Sequence, residues 1–123
     1  MKTIFFLDDS SEFLSLVKLL IERKCDCQTV TSSSYDQALQ NEGPILDSDL
    51  AFLDINLGDE SHSGLDVYRW LREKGYQKPV YFLTGHGKNS PDVQAAEALG
   101  QQVKVLTKPI PNKELMDLIG RTA

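Results

Sequence analysis

The chain has 123 residues, 41% of them hydrophobic, with 18 acidic against 13 basic side chains and a formal net charge of −5. That length lets one domain bury a core without covalent staples. No apolar run approaches the roughly 20 residues that a bilayer span needs, the first strand starts too close to Met1 to leave room for a secretory leader, and the bases are scattered rather than striped. A cytoplasmic protein is therefore expected, with no membrane association and no direct nucleic-acid binding.

Thr3 to Leu7 is a short β-rich run. Ser10 and Ser11 with Glu12 form a cap signal ahead of Phe13, Leu16, Val17 and Leu20 at helical spacing. Cys25 and Cys27 are the only cysteines, spaced C-x-C where that helix gives way to a strand. With no further cysteines to complete a metal site they read as ordinary thiols. Cys27 to Val30 reads as a second strand, Ser34 to Gln40 as a short helix, and Asn41-Glu42-Gly43-Pro44 as its stop and turn. Leu50 to Leu53 is apolar on both faces, which suits a strand covered by helices on both sides.

After a polar loop, Leu65, Val67, Tyr68 and Leu71 carry the next helix, ended by Gly75, and Val80 to Leu83 is again a buried strand. Ser90-Pro91 opens a helix through Leu99, since proline suits the first helical position. Val103 to Leu106 is the fifth strand, and Asn112 caps a last helix through about Ile119. Phe13, Leu16, Tyr68 and Trp70 are assigned mostly to core packing rather than to a partner surface. Strand-helix alternation without repeats or linkers predicts one doubly wound α/β domain over residues 1–123, with a five-stranded parallel sheet.

In such a sheet the carboxyl ends of the strands line one rim, and ligands bind in the crevice beyond it. Asp8 and Asp9 end the first apolar run, Asp54 ends the third, Thr84-Gly85 ends the fourth and Lys108-Pro109 follows the fifth. A single acid after a strand can merely cap the next helix. Three on one rim repel by several kcal/mol unless a cation sits among them. Carboxylate oxygens without histidine or thiolate partners favour Mg²⁺, which is usually shared with phosphate oxygens. Lys108 can meet both the carboxylates and a phosphoryl oxygen. Thr84 offers a hydroxyl donor, and Gly85 is read as keeping the wall beside it open.

Phe6-Leu7-Asp8-Asp9, Leu53-Asp54-Ile55-Asn56, Leu83-Thr84-Gly85 and Thr107-Lys108-Pro109 stand in the order and spacing of the receiver domain of bacterial response regulators, which the chain resembles from end to end. The resemblance implies a flavodoxin-like sheet of strand order 2-1-3-4-5 and a cis Lys108-Pro109 peptide. It implies that Asp54 is the phosphoacceptor, attacking the phosphoryl group of a histidine kinase, a phosphotransfer protein or a small donor such as acetyl phosphate. Asp8, Asp9, Asp54 and the backbone carbonyl of Asn56 would hold Mg²⁺, in part through water on Asp8. Lys108 and Thr84 would neutralise charge on the equatorial oxygens. Thr84 would then couple the chemistry to the face formed by the fourth helix, fifth strand and fifth helix.

The chain departs from the family in two places. Val105 stands three residues before the lysine, where receivers usually carry Tyr or Phe, so the aromatic switch is missing. The loop Leu57 to Gly64 is about two residues longer than usual, with Gly58 where proline is common; it is expected to alter partner choice or phosphoryl lifetime, or to be a tolerated insertion. His62 reads as a solvated loop histidine. His86 and Asn56, two residues after Thr84 and Asp54, occupy positions that tune hydrolysis in receivers. The expected function is a signalling receiver, monomeric or weakly dimeric, that catalyses only its own phosphorylation and dephosphorylation. It would act through protein contacts, alone or as part of a larger regulator. Alternatives are an unswitched pseudo-receiver module, an aspartyl phosphohydrolase of the haloacid dehalogenase type, which wants D-x-D where this chain has Asp8-Asp9-Ser10, and a flavodoxin-like cofactor binder, which Asp8-Asp9 disfavours.

Overall fold

The computed structural model describes residues 2–58, 61–85, 91–99, 103–108 and 110–121. Strands β1 (Lys2–Leu7), β2 (Cys27–Ser32), β3 (Leu50–Asp54), β4 (Val80–Thr84) and β5 (Val103–Thr107) form one parallel sheet in the order β2-β1-β3-β4-β5. Helices α1 (Ser11–Lys24), α2 (Tyr35–Gln40), α3 (Glu42–Leu46), α4 (Gly64–Glu73), α5 (Pro91–Glu97) and α6 (Asn112–Arg121) connect and follow them. The predicted fold class and strand order are those observed.

Side-chain alternation along the strands builds two cores, one on each face of the sheet. Phe5, Leu7, Leu53 and Phe82 join Val67 and Leu71 of α4 and Val93 and Ala96 of α5 in the first. Ile4, Phe6, Phe52 and Leu83 join Leu14, Val17 and Ile21 of α1 and Leu115, Leu118 and Ile119 of α6 in the second. Burial on both sides explains why β1 and β3 read as continuous apolar runs.

Four helix boundaries are set by identifiable chemistry. Ser10 caps α1 by accepting from Phe13 N, and Ser34 caps α2 by accepting from Gln37 N. Ser63 and Asp66 close a reciprocal capping box at the start of α4. Gly75, at φ 86, ends α4 in a Schellman turn, with its N–H donating to Arg72 O and that of Tyr76 to Leu71 O.

Three expectations are corrected. Glu42 to Leu46 is a short helix rather than a turn, because Pro44 falls in its first turn, where a missing N–H leaves no bond unmade. Asn112 is the first residue of α6 rather than its cap, since Leu115 N donates to Pro111 O. Leu16 is 66% exposed, not core. The buried stripe of α1 runs through Leu14, Val17 and Ile21, and one residue before Val17 lies about 100° round the axis. Phe13 is only half-buried, whereas Tyr68 and Trp70 are buried as expected.

Candidate functional site

The register of the sheet assembles the rim. Leu7 pairs with Leu53, Asp54 with Leu83 and Thr84 with Thr107, so Asp8, Asp54, Thr84 and Lys108 emerge at neighbouring strand ends. Asp8 is fully buried, Asp54 and Thr84 nearly so, and Asp9 is exposed. Asp8, Asp9 and Asp54 each present an oxygen within 4.8 Å of the others. Lys108 Nζ donates to Asp8 Oδ2 at 2.5 Å and lies 3.4 Å from Asp54 Oδ2.

Backbone groups hold the acids in place. Asp8 Oδ1 accepts from Ser10 N at 2.8 Å, and Asp8 N donates to Ser32 O at 3.2 Å. Asp54 Oδ1 accepts from Asn56 N at 3.3 Å, while Asn56 Oδ1 accepts from Gly58 N at 3.0 Å, a side-chain-closed turn. Lys108 N donates to Thr84 O at 2.8 Å, which ties the lysine to the threonine wall.

Burial pushes the Asp54 carboxyl up to about 7, helped by the charges of Asp8 and Asp9 and opposed by Lys108. Burial works against the Lys108 ammonium, but its hydrogen bond to Asp8 and the charge of Asp54 outweigh this and raise its pKa. The pocket thus carries more negative charge than one lysine neutralises. An oxygen-only donor set of three carboxylates fits a hard cation such as Mg²⁺.

The rim contains features that strand-end reasoning missed. A Cβ on Gly64 would lie 2.1 Å from the carbonyl oxygen of Asp54, so only glycine lets α4 start against the β3 terminus. Lys108 Nζ stands 5.0 Å from the ring centroid of Phe13, which puts that residue at the edge of the site. Ser32, whose carbonyl accepts from Asp8 N, has a buried Oγ with no hydrogen-bond partner among the described residues.

Other predicted residues fare differently. A Cβ on Gly85 meets nothing within 4 Å, so crowding does not demand glycine there. His62 is half-buried and stacked on Tyr35 rather than solvated. Val105 pairs with Phe82 and packs, half-buried, on the first core. His86 and the Lys108-Pro109 peptide lie outside the described residues. Cys25 and Cys27 sit at the opposite end of the sheet, where burial and the neighbouring Cys25 thiol push the Cys27 thiol up to about 11.

Comparison with known proteins agrees with this geometry. The family model described as "Response regulator receiver domain" matches residues 4–120. Response regulator protein TmoT of Ectopseudomonas mendocina is 32% identical over 120 residues, covering 98% of this chain and 51% of the relative. Nodulation protein W of Bradyrhizobium diazoefficiens is 34% identical over 120 residues, covering 96% and 50%. The chain therefore spans about half the length of these curated relatives. A receiver domain protein from Clostridium thermocellum superposes with a TM-score of 0.80 at 25% identity, over 99% of this chain and 94% of that one. Vibrio cholerae chemotaxis protein CheY4, at 21% identity and a TM-score of 0.79, covers 100% of this chain and 99% of its own and shares the fold. With its acids, threonine and lysine gathered on the rim of a 2-1-3-4-5 sheet, the chain belongs to the response regulator receiver domains, signalling modules of two-component systems.

Proposed function

We propose that residues 1–123 act as one phosphoacceptor receiver, in which Asp54 takes a phosphoryl group from a histidine kinase or phosphotransfer protein. The observation that carries this reading is the Lys108 ammonium bridging Asp8 and Asp54 inside a cluster of three carboxylates. An Asp54 oxygen attacks phosphorus as the bond from phosphorus to the donor nitrogen breaks, leaving an acyl phosphate on Asp54 and the imidazole on the donor.

Asp8, Asp9, Asp54 and the carbonyl of Asn56 would hold Mg²⁺, which supplies charge neutralisation for the phosphoryl oxygens when bound. Lys108 pairs with an equatorial oxygen, and the Thr84 hydroxyl donates to another. Asn56 and His86 tune how readily water removes the phosphoryl group. Acting on no separate substrate, the domain signals from the cytoplasm through altered protein contacts, as a monomer or weak homodimer. Val105 favours a second reading, an unswitched pseudo-receiver, because valine offers little area to expose or hide.

Incubation with Mg²⁺ and acetyl phosphate, read by intact mass, distinguishes the two. One phosphoryl adduct, absent with a chelator and in Asp54→Asn, is the expected result. No adduct on the wild type overturns the phosphoacceptor reading.

A further inference from the structure

The described parts of the loop between β3 and α4, residues 55–58 and 61–63, are each tied down. Near its start the Asn56 side chain closes a turn on Gly58 N, and Leu57 is buried in the first core. At its end Gly64 N donates to Ile55 O at 2.9 Å, and the Ser63–Asp66 box begins α4. Between these anchors the His62 ring lies flat on that of Tyr35, the first residue of α2, with centroids 4.0 Å apart and planes 3° from parallel.

Tyr35 is itself a firm platform. Ser34 caps α2 through Gln37 N at 3.1 Å, and Gln37 Oε1 accepts from Ser33 N at 2.6 Å and from Ser33 Oγ at 3.1 Å. Its ring packs against the first core. Because β2 and β3 flank β1, a contact from the β3–α4 loop to α2 spans the end of β1, where Asp8 and Asp9 emerge. Gly58 of the same loop, at φ 68, runs so close to Asp9 that an added Cβ would lie 3.1 Å from Asp9 Oδ2. Thr84 and Lys108 wall the opposite side of the pocket.

We propose that His62 and Tyr35 are a positioning pair, whose stacked rings hold the β3–α4 loop as the Asp9-side wall of the acid pocket and slow the entry of water to phosphorylated Asp54. The inference rests on Asp54 being the phosphoacceptor. In this proposal the rings act through the loop they hold. Two flat rings in contact exclude water between them and fix the loop against α2, so the effect is on solvent access rather than on the transfer step.

Wild type, His62→Ala, Tyr35→Ala and His62→Phe are phosphorylated with acetyl phosphate and Mg²⁺, freed of donor, and followed by intact mass as the adduct decays. Hydrogen–deuterium exchange of the loop amides is measured on the unphosphorylated proteins. The alanine variants should lose the phosphoryl group about threefold to tenfold faster and exchange faster in the loop, while His62→Phe, which can still stack, restores both. Unchanged decay in His62→Ala overturns the inference, as does His62→Phe behaving like His62→Ala. Those failures leave a phosphorylated wild type, whereas a wild type without adduct removes the underlying reading and the inference with it.

Discussion

Asp54 is the residue whose surroundings most constrain its chemistry. The folded protein holds its proton up to about pH 7, because burial and then the Asp8 charge disfavour the carboxylate, whereas the unfolded chain releases it near the ordinary 3.8. Between those values the native state binds a proton that the unfolded state lacks. This contribution to stability is complete below 3.8 and lost as pH rises through about 7. The metal-free protein should therefore lose thermal stability from about pH 4 to about pH 7, and Asp54→Asn should flatten that slope; a flat wild-type profile would contradict it. Gly64 matters for a steric reason, since a Cβ there would meet the backbone oxygen and carbon of Asp54 at 2.1 and 2.9 Å. Gly64→Ala should cost about 1–3 kcal/mol in urea unfolding, whereas Gly43→Ala, with nothing within 4 Å, should not. The acids, Thr84 and Lys108 were legible in the sequence because each ends an apolar run. Gly64, the edge position of Phe13 and the stacking of His62 on Tyr35 were not, because contacts between separate loops and helices leave no periodic trace.

At the scale of elements, the strands run beyond their apolar cores. β3, β4 and β5 end on Asp54, Thr84 and Thr107, polar residues that still pair through the backbone. Ladder hydrogen bonds come from the main chain, so side-chain polarity truncates the predicted strand before the ladder stops. The same limit hid α3, whose Gly-Pro pair reads as a turn yet fits a helix's first turn. In α1 the apolar residues exceed what the sheet can cover. Leu16 and Leu19 are left outside and, with Phe13, Leu20, Ile110 and Leu115, line a groove of about 450 Å³ between α1 and α6. Leu16→Ser should shift stability by no more than about 0.5 kcal/mol, while Leu14→Ala, in the buried stripe, should cost about 2–5 kcal/mol. Equal losses in chemical denaturation would return Leu16 to the core.

For the whole molecule, strand order converts residues far apart in the chain into one site, since Asp8 and Lys108 are separated by 100 positions yet share a hydrogen bond. The sheet order was legible only through the resemblance. Alternation alone predicts parallel strands and helices but not which strand lies beside which. Among the described residues no helix is long and apolar enough to cross a membrane. Val105 packs on the first core while the acids gather at the rim, so its side chain is not part of the acid cluster. The central claim is that Asp54 itself carries the phosphoryl group, and the direct measurement is reductive trapping. The protein is phosphorylated with acetyl phosphate and Mg²⁺, treated with borohydride, digested and sequenced by mass spectrometry. Reduction of an aspartyl phosphate leaves homoserine, and it should appear at position 54 alone. Homoserine at Asp8 or Asp9, or at no position while acetyl phosphate is consumed, would contradict the account.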